Sequence, residues 1–226
     1  MSLLKFKQNP INTDAEHKIL VNKTYIAFYK VLLETLKLKD LYTYGHCLRV
    51  SKYSLSLGIE LGLSRKELFL LELSALFHDI GKIGIPDNIL KKPDKLTDEE
   101  YNIMKKHPGL SGDVLKKFPG FEKIHFYAKC HHERYDGKGY PSGLKENEIP
   151  LFSRIILIAD TYDAMTSTRP YRKGLSQQIA FTELKKCSGT QFDSKLVDYF
   201  INGFNNRVNN DSNSTLLIKE ILKKAA

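Results

Sequence analysis

No apolar run in this chain of 226 residues approaches the roughly 20 residues that a helix needs to cross a bilayer, so no membrane span is expected. The first residues lack a long apolar stretch with a small-residue cleavage site, and no secretory signal is expected. Cysteine is scarce: Cys47, Cys130 and Cys187 form no CxxC pair, which argues against a disulfide framework and against a thiolate zinc site. A reducing cytoplasm fits such usage. No RNA-recognition signature or zinc-finger spacing is present, so no nucleic acid polymer is expected as a partner. Alternation of period two is almost absent, which leaves an all-α fold.

What is present is enough apolar material for one good-sized core, at 42% hydrophobic residues. The formal charge of +9 fits either a lysine-rich surface or an anionic partner and does not choose between them. After a polar arm over the first residues to about 16, apolar periodicity predicts a long helix from His17 to Lys39. A break at Asp40–Gly45, with Thr43 as the cap, leads to a helix reaching about Gly58. Ser64 followed by Glu67 has capping-box spacing and opens a central helix to about His78. Thr97 with Glu100 opens another after a loop over 81–98. Pro108 places His107 at a boundary, in extended geometry. Helical segments are expected near 110–117, 121–133, 153–167, 176–187 and 194–204. Residues 135–150 form a loop rich in Gly and Pro. A polar linker from Asn205 and a short basic helix over 216–226 close the chain.

The organising stretch is His78-Asp79-Ile80-Gly81-Lys82, at the end of an apolar helix. Five of the seven His and two Asp lie at element ends or beside loops: His46, His78, Asp79, His107, His131, His132 and Asp160. Imidazole and carboxylate ligands suit Fe, Mn, Zn or Ni. Seven donors exceed one tetrahedral ion and suit two ions sharing a carboxylate, with Asp79 the best-placed bridge. A lone histidine is more often a cap or a core residue than a ligand; the joint set argues for ligation. Two metals can hold a bridging hydroxide at neutral pH and clamp the oxygens of an in-line phosphoryl displacement. Lys82, three residues after Asp79, points to the same side if the turn is retained and can meet a nonbridging oxygen. Arg169 and Arg172 form a second basic cluster, matched to bidentate phosphate contact.

At this point the sequence resembles the HD-GYP branch of the HD metal-dependent phosphohydrolases. The resemblance rests on His46-Cys47-Leu48-Arg49-Val50, on the stretch from His78 to Pro86, and on His107-Pro108. It continues through the stretch from His131 to Pro141, Ile149-Pro150, the stretch from Ala159 to Thr166, Arg169-Pro170-Tyr171-Arg172 and Phe192-Asp193. It covers residues 40 to 204 approximately and implies an all-α HD-domain helical bundle with a metal centre in its core. Residues 41–204 would form the catalytic domain, between an arm and helix (1–40) and a linker and short helix (205–226). The implied activity is hydrolysis of cyclic di-GMP to pGpG or GMP. The implied metal ligands are His46, His78, Asp79, His107, His131, His132 and Asp160, with Asp79 bridging. Lys82, Tyr140, Arg169 and Arg172 match positions that contact phosphate or guanine.

Members with three metals carry Glu one helical turn before the first His. Tyr42 stands there, so a two-metal site is expected, most readily of Fe or Mn. Two alternatives stay open: another cyclic dinucleotide such as cyclic GMP-AMP as substrate, or a nonhydrolytic nucleotide-binding signalling module. No receiver or sensor domain fits in the first 40 residues. Regulation is expected through the terminal segments, a homodimer or a partner protein.

Overall fold

A computed structural model describes residues 13–168 and 173–207, with side chains described over 24–168 and 173–204. These residues form helices without strands. Helix α1 spans Thr13–Lys39, α2 Leu41–Glu60, α3 Arg65–Leu76, α4 Asp87–Leu90, α5 Asp98–Met104 and α6 His107–Leu115. Helix α7 spans Ile124–Lys129, α8 Leu151–Thr166, α9 Gln177–Lys186 and α10 Ser194–Arg207. A 3-10 turn over Ile80–Gly84 links α3 to α4.

The caps explain the boundaries. Ser64 and Glu67 form the expected capping box at α3, as do Thr97 and Glu100 at α5, each satisfying two otherwise orphaned N–H groups. At α2 the cap is Asp40, not Thr43. The Asp40 carboxylate accepts from the Thr43 backbone at 2.9 Å and from its hydroxyl at 2.5 Å, so the break between α1 and α2 is a single residue. Helix α1 begins at Thr13, earlier than its apolar pattern announces. The stretch after His78 contains the 3-10 turn and α4 where an open loop is expected. His107 is at a boundary but is the first residue of α6 and helical, with Pro108 in the first turn where its missing N–H costs nothing. Helix α7 stops at Lys129, so His131 and His132 stand beyond its end. Helix α10 continues to Arg207, through the start of the expected linker, and the helix expected at 216–226 lies outside the described residues.

Two apolar clusters meet at α2 and α3. One joins α2 and α3 to α8, α9 and α10 through residues such as Leu57, Leu71, Ile156, Leu184 and Phe200. The other joins α1 and α3 to α6 and α7 through Leu36, Leu73, Leu76, Phe77, Leu115 and Ile124. Residues Leu71 to Leu76 of α3 are all buried, including Glu72 and Ser74, so α3 is the central helix its sequence predicts. Burying each leucine fully is worth about 1.5–3 kcal/mol. The packing fixes where the C-terminal end of α3 points, and His78 and Asp79 are the next residues.

Candidate metal centre

Three of the histidines share one local device. A helix leaves its last carbonyls without partners. His78, just past α3, sets Nδ1 2.7 Å from the Ala75 carbonyl. His107, just past α5, sets Nδ1 2.7 Å from the Met104 carbonyl. His131, just past α7, sets Nδ1 2.6 Å from the Ala128 carbonyl. A carbonyl only accepts, so in each ring Nδ1 carries the proton and Nε2 is a bare lone pair aimed inward.

His46 reaches the same place from the first turns of α2 by another route. Its Nδ1 donates to Asp163 Oδ2 at 2.7 Å. The Asp163 carboxylate is itself held by Arg49, with Nε donating at 2.6 Å and a second guanidinium nitrogen at 3.1 Å. Burial alone would lower the His46 pKa, but its hydrogen bonds to Asp160 and Asp163 raise it to about 9.

Asp79 sits at the centre, 1% exposed, with its two oxygens facing different imidazoles. Oδ1 lies 3.0 Å from His107 Nε2 and 3.9 Å from His131 Nε2. Oδ2 lies 3.5 Å from His78 Nε2 and 3.6 Å from His46 Nε2, and 2.6 Å from Lys82 Nζ. The 3-10 turn retains the geometry that brings Lys82 back beside Asp79. Asp160, from α8, lies 3.1 Å from His46 Nε2. His132 stacks against Tyr140, with centroids 4.8 Å apart, and faces the ring of His107 at 5.0 Å.

Burial penalises the Asp79 carboxylate, yet Lys82 and the imidazoles hold its pKa well below the usual range. Burial pushes His78, His131 and His132 down, His132 to about 3. The result is a buried carboxylate facing imidazoles of which His78, His131 and His132 are held in the neutral form.

This donor set fits divalent cations. The buried His78 Nε2 and Asp79 Oδ1 lack hydrogen-bond partners, and His107 Nε2 faces His131 Nε2 at 3.4 Å, lone pair to lone pair. A cation placed among them would satisfy these lone pairs together. Three groupings have all donor atoms within 4.8 Å of one another: His107, His131 and His132; His46, His78 and Asp79; and His78, His131 and Asp160. All seven sequence-nominated donors are thus gathered. Lys82 and Tyr140 are beside them, whereas Arg169 and Arg172 lie outside the described residues.

Two carboxylates were assigned no role from sequence. Asp163 stands three residues after Asp160 on α8, a spacing that puts both on one helix face. Glu133, following the His pair, is buried and accepts from the backbone N–H groups of Ser142 at 2.6 Å and Leu144 at 3.1 Å, which ties the loop carrying Tyr140 to the His131–His132 segment. Asp163→Asn keeps the shape but strands Arg49 and weakens the grip on His46 Nδ1. We expect metal affinity to fall about 10–100-fold, read by chelator competition.

Beside the donors opens a cleft of about 530 Å³, whose walls include His132, Tyr140 and Asp160 as well as Lys105, Arg134 and Lys138. Among the described residues no helix is long and apolar enough to cross a membrane.

An all-α bundle with a buried cluster of His and Asp at its helix ends, open to a cation-lined cleft, defines a class of helical metal-site proteins. The chain belongs to the HD domain family, whose sequence profile matches residues 30–196. Phosphohydrolases of this family are metal-dependent. Over 165 residues the chain is 41% identical to a cyclic di-GMP phosphodiesterase of Thermotoga maritima, covering 72% of this chain and 45% of that protein. Over 155 residues it is 37% identical to the 3'3'-cGAMP-specific phosphodiesterase 3 of Vibrio cholerae, covering 69% of this chain and 34% of that protein. The chain therefore spans less than half the length of these curated relatives. The solved cyclic GMP-AMP specific phosphodiesterase V-cGAP3 of V. cholerae shares the fold, with a TM-score of 0.62 at 20% identity over 87% of this chain and 50% of that one. The resemblance to the HD-GYP branch is borne out.

Proposed function

We propose that this chain is a phosphodiesterase that hydrolyses cyclic di-GMP to pGpG or GMP at a centre of two divalent ions, Fe or Mn. The observation that carries this reading is Asp79, whose two oxygens face separate imidazoles: His107 and His131 on one side, His46 and His78 on the other. His132 and Asp160 complete the ligand set. Divalent ions held there would supply Lewis acidity toward a phosphodiester and lower the pKa of water.

The protein's own groups do the rest. The carbonyl-bound Nδ1 atoms fix three imidazoles in the ligating tautomer, and Asp163 with Arg49 fixes the fourth. Lys82 is close enough to Asp79 to pass to a nonbridging phosphate oxygen as charge develops there. Tyr140 walls the cleft beside His132 and offers its ring to a guanine, and Arg169 and Arg172 add phosphate contacts. Tyr42 supports a count of two metals: its ring lies 6.4 Å from that of His46 and within 6° of parallel, occupying the position where a third-metal Glu would stand. Three fully occupied metal sites in purified protein would refute that count.

Residues 41–204 carry this catalytic unit, and its setting is the cytoplasm. Regulation enters through residues 1–40, residues 205–226, a second copy or a partner protein. The relatives named for cyclic di-GMP and for 3'3'-cGAMP favour a cyclic dinucleotide substrate and leave its second base to be fixed. The test is anaerobic purification with metal analysis, then turnover of cyclic di-GMP, cyclic GMP-AMP and linear dinucleotides on the same sample. Cyclic di-GMP is expected to turn over fastest. Faster turnover of cyclic GMP-AMP would move the assignment to that substrate, and metal-loaded protein that binds but hydrolyses none would leave a nonhydrolytic module.

A further inference from the structure

The cleft holds a cation that the catalytic reading does not use. Lys105 lies in the turn between α5 and α6, two residues before His107, and its side chain lines the same cleft as His132 and Asp160. The other basic side chains there are differently placed. The Arg134 guanidinium is engaged by both oxygens of Asp136, at 3.0 and 2.7 Å, and reaches Gln191 Oε1 at 3.4 Å, which commits it to holding the loop. Lys138 is exposed at the rim.

Lys105 is half-buried and, among the described residues, forms no ion pair with a carboxylate. Its ammonium lies 5.1 Å from the centroid of the Tyr101 ring, which positions a flexible side chain over an aromatic face. Tyr101 in turn shares a side-chain hydrogen bond with Tyr140, so α5 and the Tyr140 loop are joined across the cleft. A half-buried cation without a carboxylate, held by an aromatic ring beside a phosphodiester site, is arranged for a second anion.

We propose that Lys105, positioned by Tyr101, is a specificity-determining contact for the second, non-reacting phosphate of the cyclic dinucleotide. The inference rests on the phosphodiester reading above and adds a substrate requirement to it. A cyclic dinucleotide carries two phosphates on opposite edges of one ring. When one lies against Asp79 and Lys82, the other is carried outward along the cleft wall. Selection then depends on two anions presented together, and a simple diester with one phosphate meets the metal centre without meeting Lys105.

The experiment compares metal-loaded wild type with Lys105→Gln and Lys105→Arg on cyclic di-GMP and on bis(p-nitrophenyl) phosphate. Losing a hydrogen bond to a charged group raises KM for cyclic di-GMP by about 10–100-fold, with kcat held within about threefold. Lys105→Arg restores most of that loss, and kcat/KM for bis(p-nitrophenyl) phosphate stays unchanged in both variants. An unaltered KM for cyclic di-GMP in Lys105→Gln overturns the proposal, as does an equal loss on both substrates, which would show Lys105 acting on the centre through the turn that carries His107. Wild type that cleaves the simple diester but not cyclic di-GMP would overturn the substrate reading itself, an outcome separable from failure at Lys105 alone.

Discussion

Replacing Asp79 with alanine is expected to remove bound metal and to lower turnover by roughly 1,000-fold or more, the scale of several kcal/mol of lost transition-state stabilisation. Among the described residues Asp79 is the one carboxylate whose oxygens reach toward four imidazoles, and its removal also strands the ammonium of Lys82. Asp79→Asn separates the two effects. The amide is nearly isosteric and still accepts a hydrogen bond from Lys82, so the fold is preserved while the anionic bridge is lost. Metal content by elemental analysis and turnover on the same preparations provide the check. Retained activity in either variant, with wild-type metal content, would sink the assignment of Asp79 as the bridge.

The second large effect is expected at Gly81, where no ligand is touched. A Cβ on Gly81 would collide with the His107 carbonyl oxygen and lie 2.5 Å from the Ser111 nitrogen and 2.8 Å from its hydroxyl. Two of these three are backbone atoms of α6 and cannot rotate away. The Gly81 N–H also donates to Ser111 Oγ at 2.9 Å, so turn and helix are in direct contact. Gly81→Ala must push apart the segment holding Asp79 and Lys82 from the helix that begins with His107. Overpacking of this kind costs about 1–3 kcal/mol, or roughly 2–12 °C in Tm for a domain of this size. Metal affinity should fall with it. Gly84→Ala is the control, because its nearest contact is the terminal methyl of Leu110 at 3.1 Å, which can move. Similar melting points for the two variants would defeat the backbone-contact explanation.

The sequence was most legible where one residue's chemistry decides its own local outcome. Ser64 with Glu67 and Thr97 with Glu100 carry both halves of a reciprocal hydrogen bond within four residues, and both form as expected. The apolar run of α3 marks it as central because nearly every position must find a partner. Legibility failed where two local solutions compete. Asp40 and Thr43 are both good caps, and the side chain with the better reach to Thr43's own N–H prevails. His107 was read as extended because of Pro108, yet proline is equally at home in the first turn of a helix.

At the site, the donor types and their places at element ends were readable, and the seven converge. The partners that aim them were less so. Asp163 meets His46 across a sequence separation of 117, which only the packing of α8 on α2 supplies. The choice between a capping histidine and a ligating one also turns out to be a false alternative at His78, His107 and His131, since each caps a helix with one nitrogen in order to present the other.

That division of labour has a consequence for anyone redesigning the protein. Main-chain carbonyls are the same whatever residue carries them, so no substitution at Ala75, Met104 or Ala128 deletes the acceptor that orients His78, His107 or His131. His46 is different: its orientation is encoded in two replaceable side chains, Asp163 and Arg49, the latter 40% exposed. Three of the five imidazoles are therefore insulated from mutation of the residues that orient them, and the His46 arm is adjustable. A library at Asp163 and Arg49 is the route to retuning which cation the centre prefers while the rest of the cage stays in register.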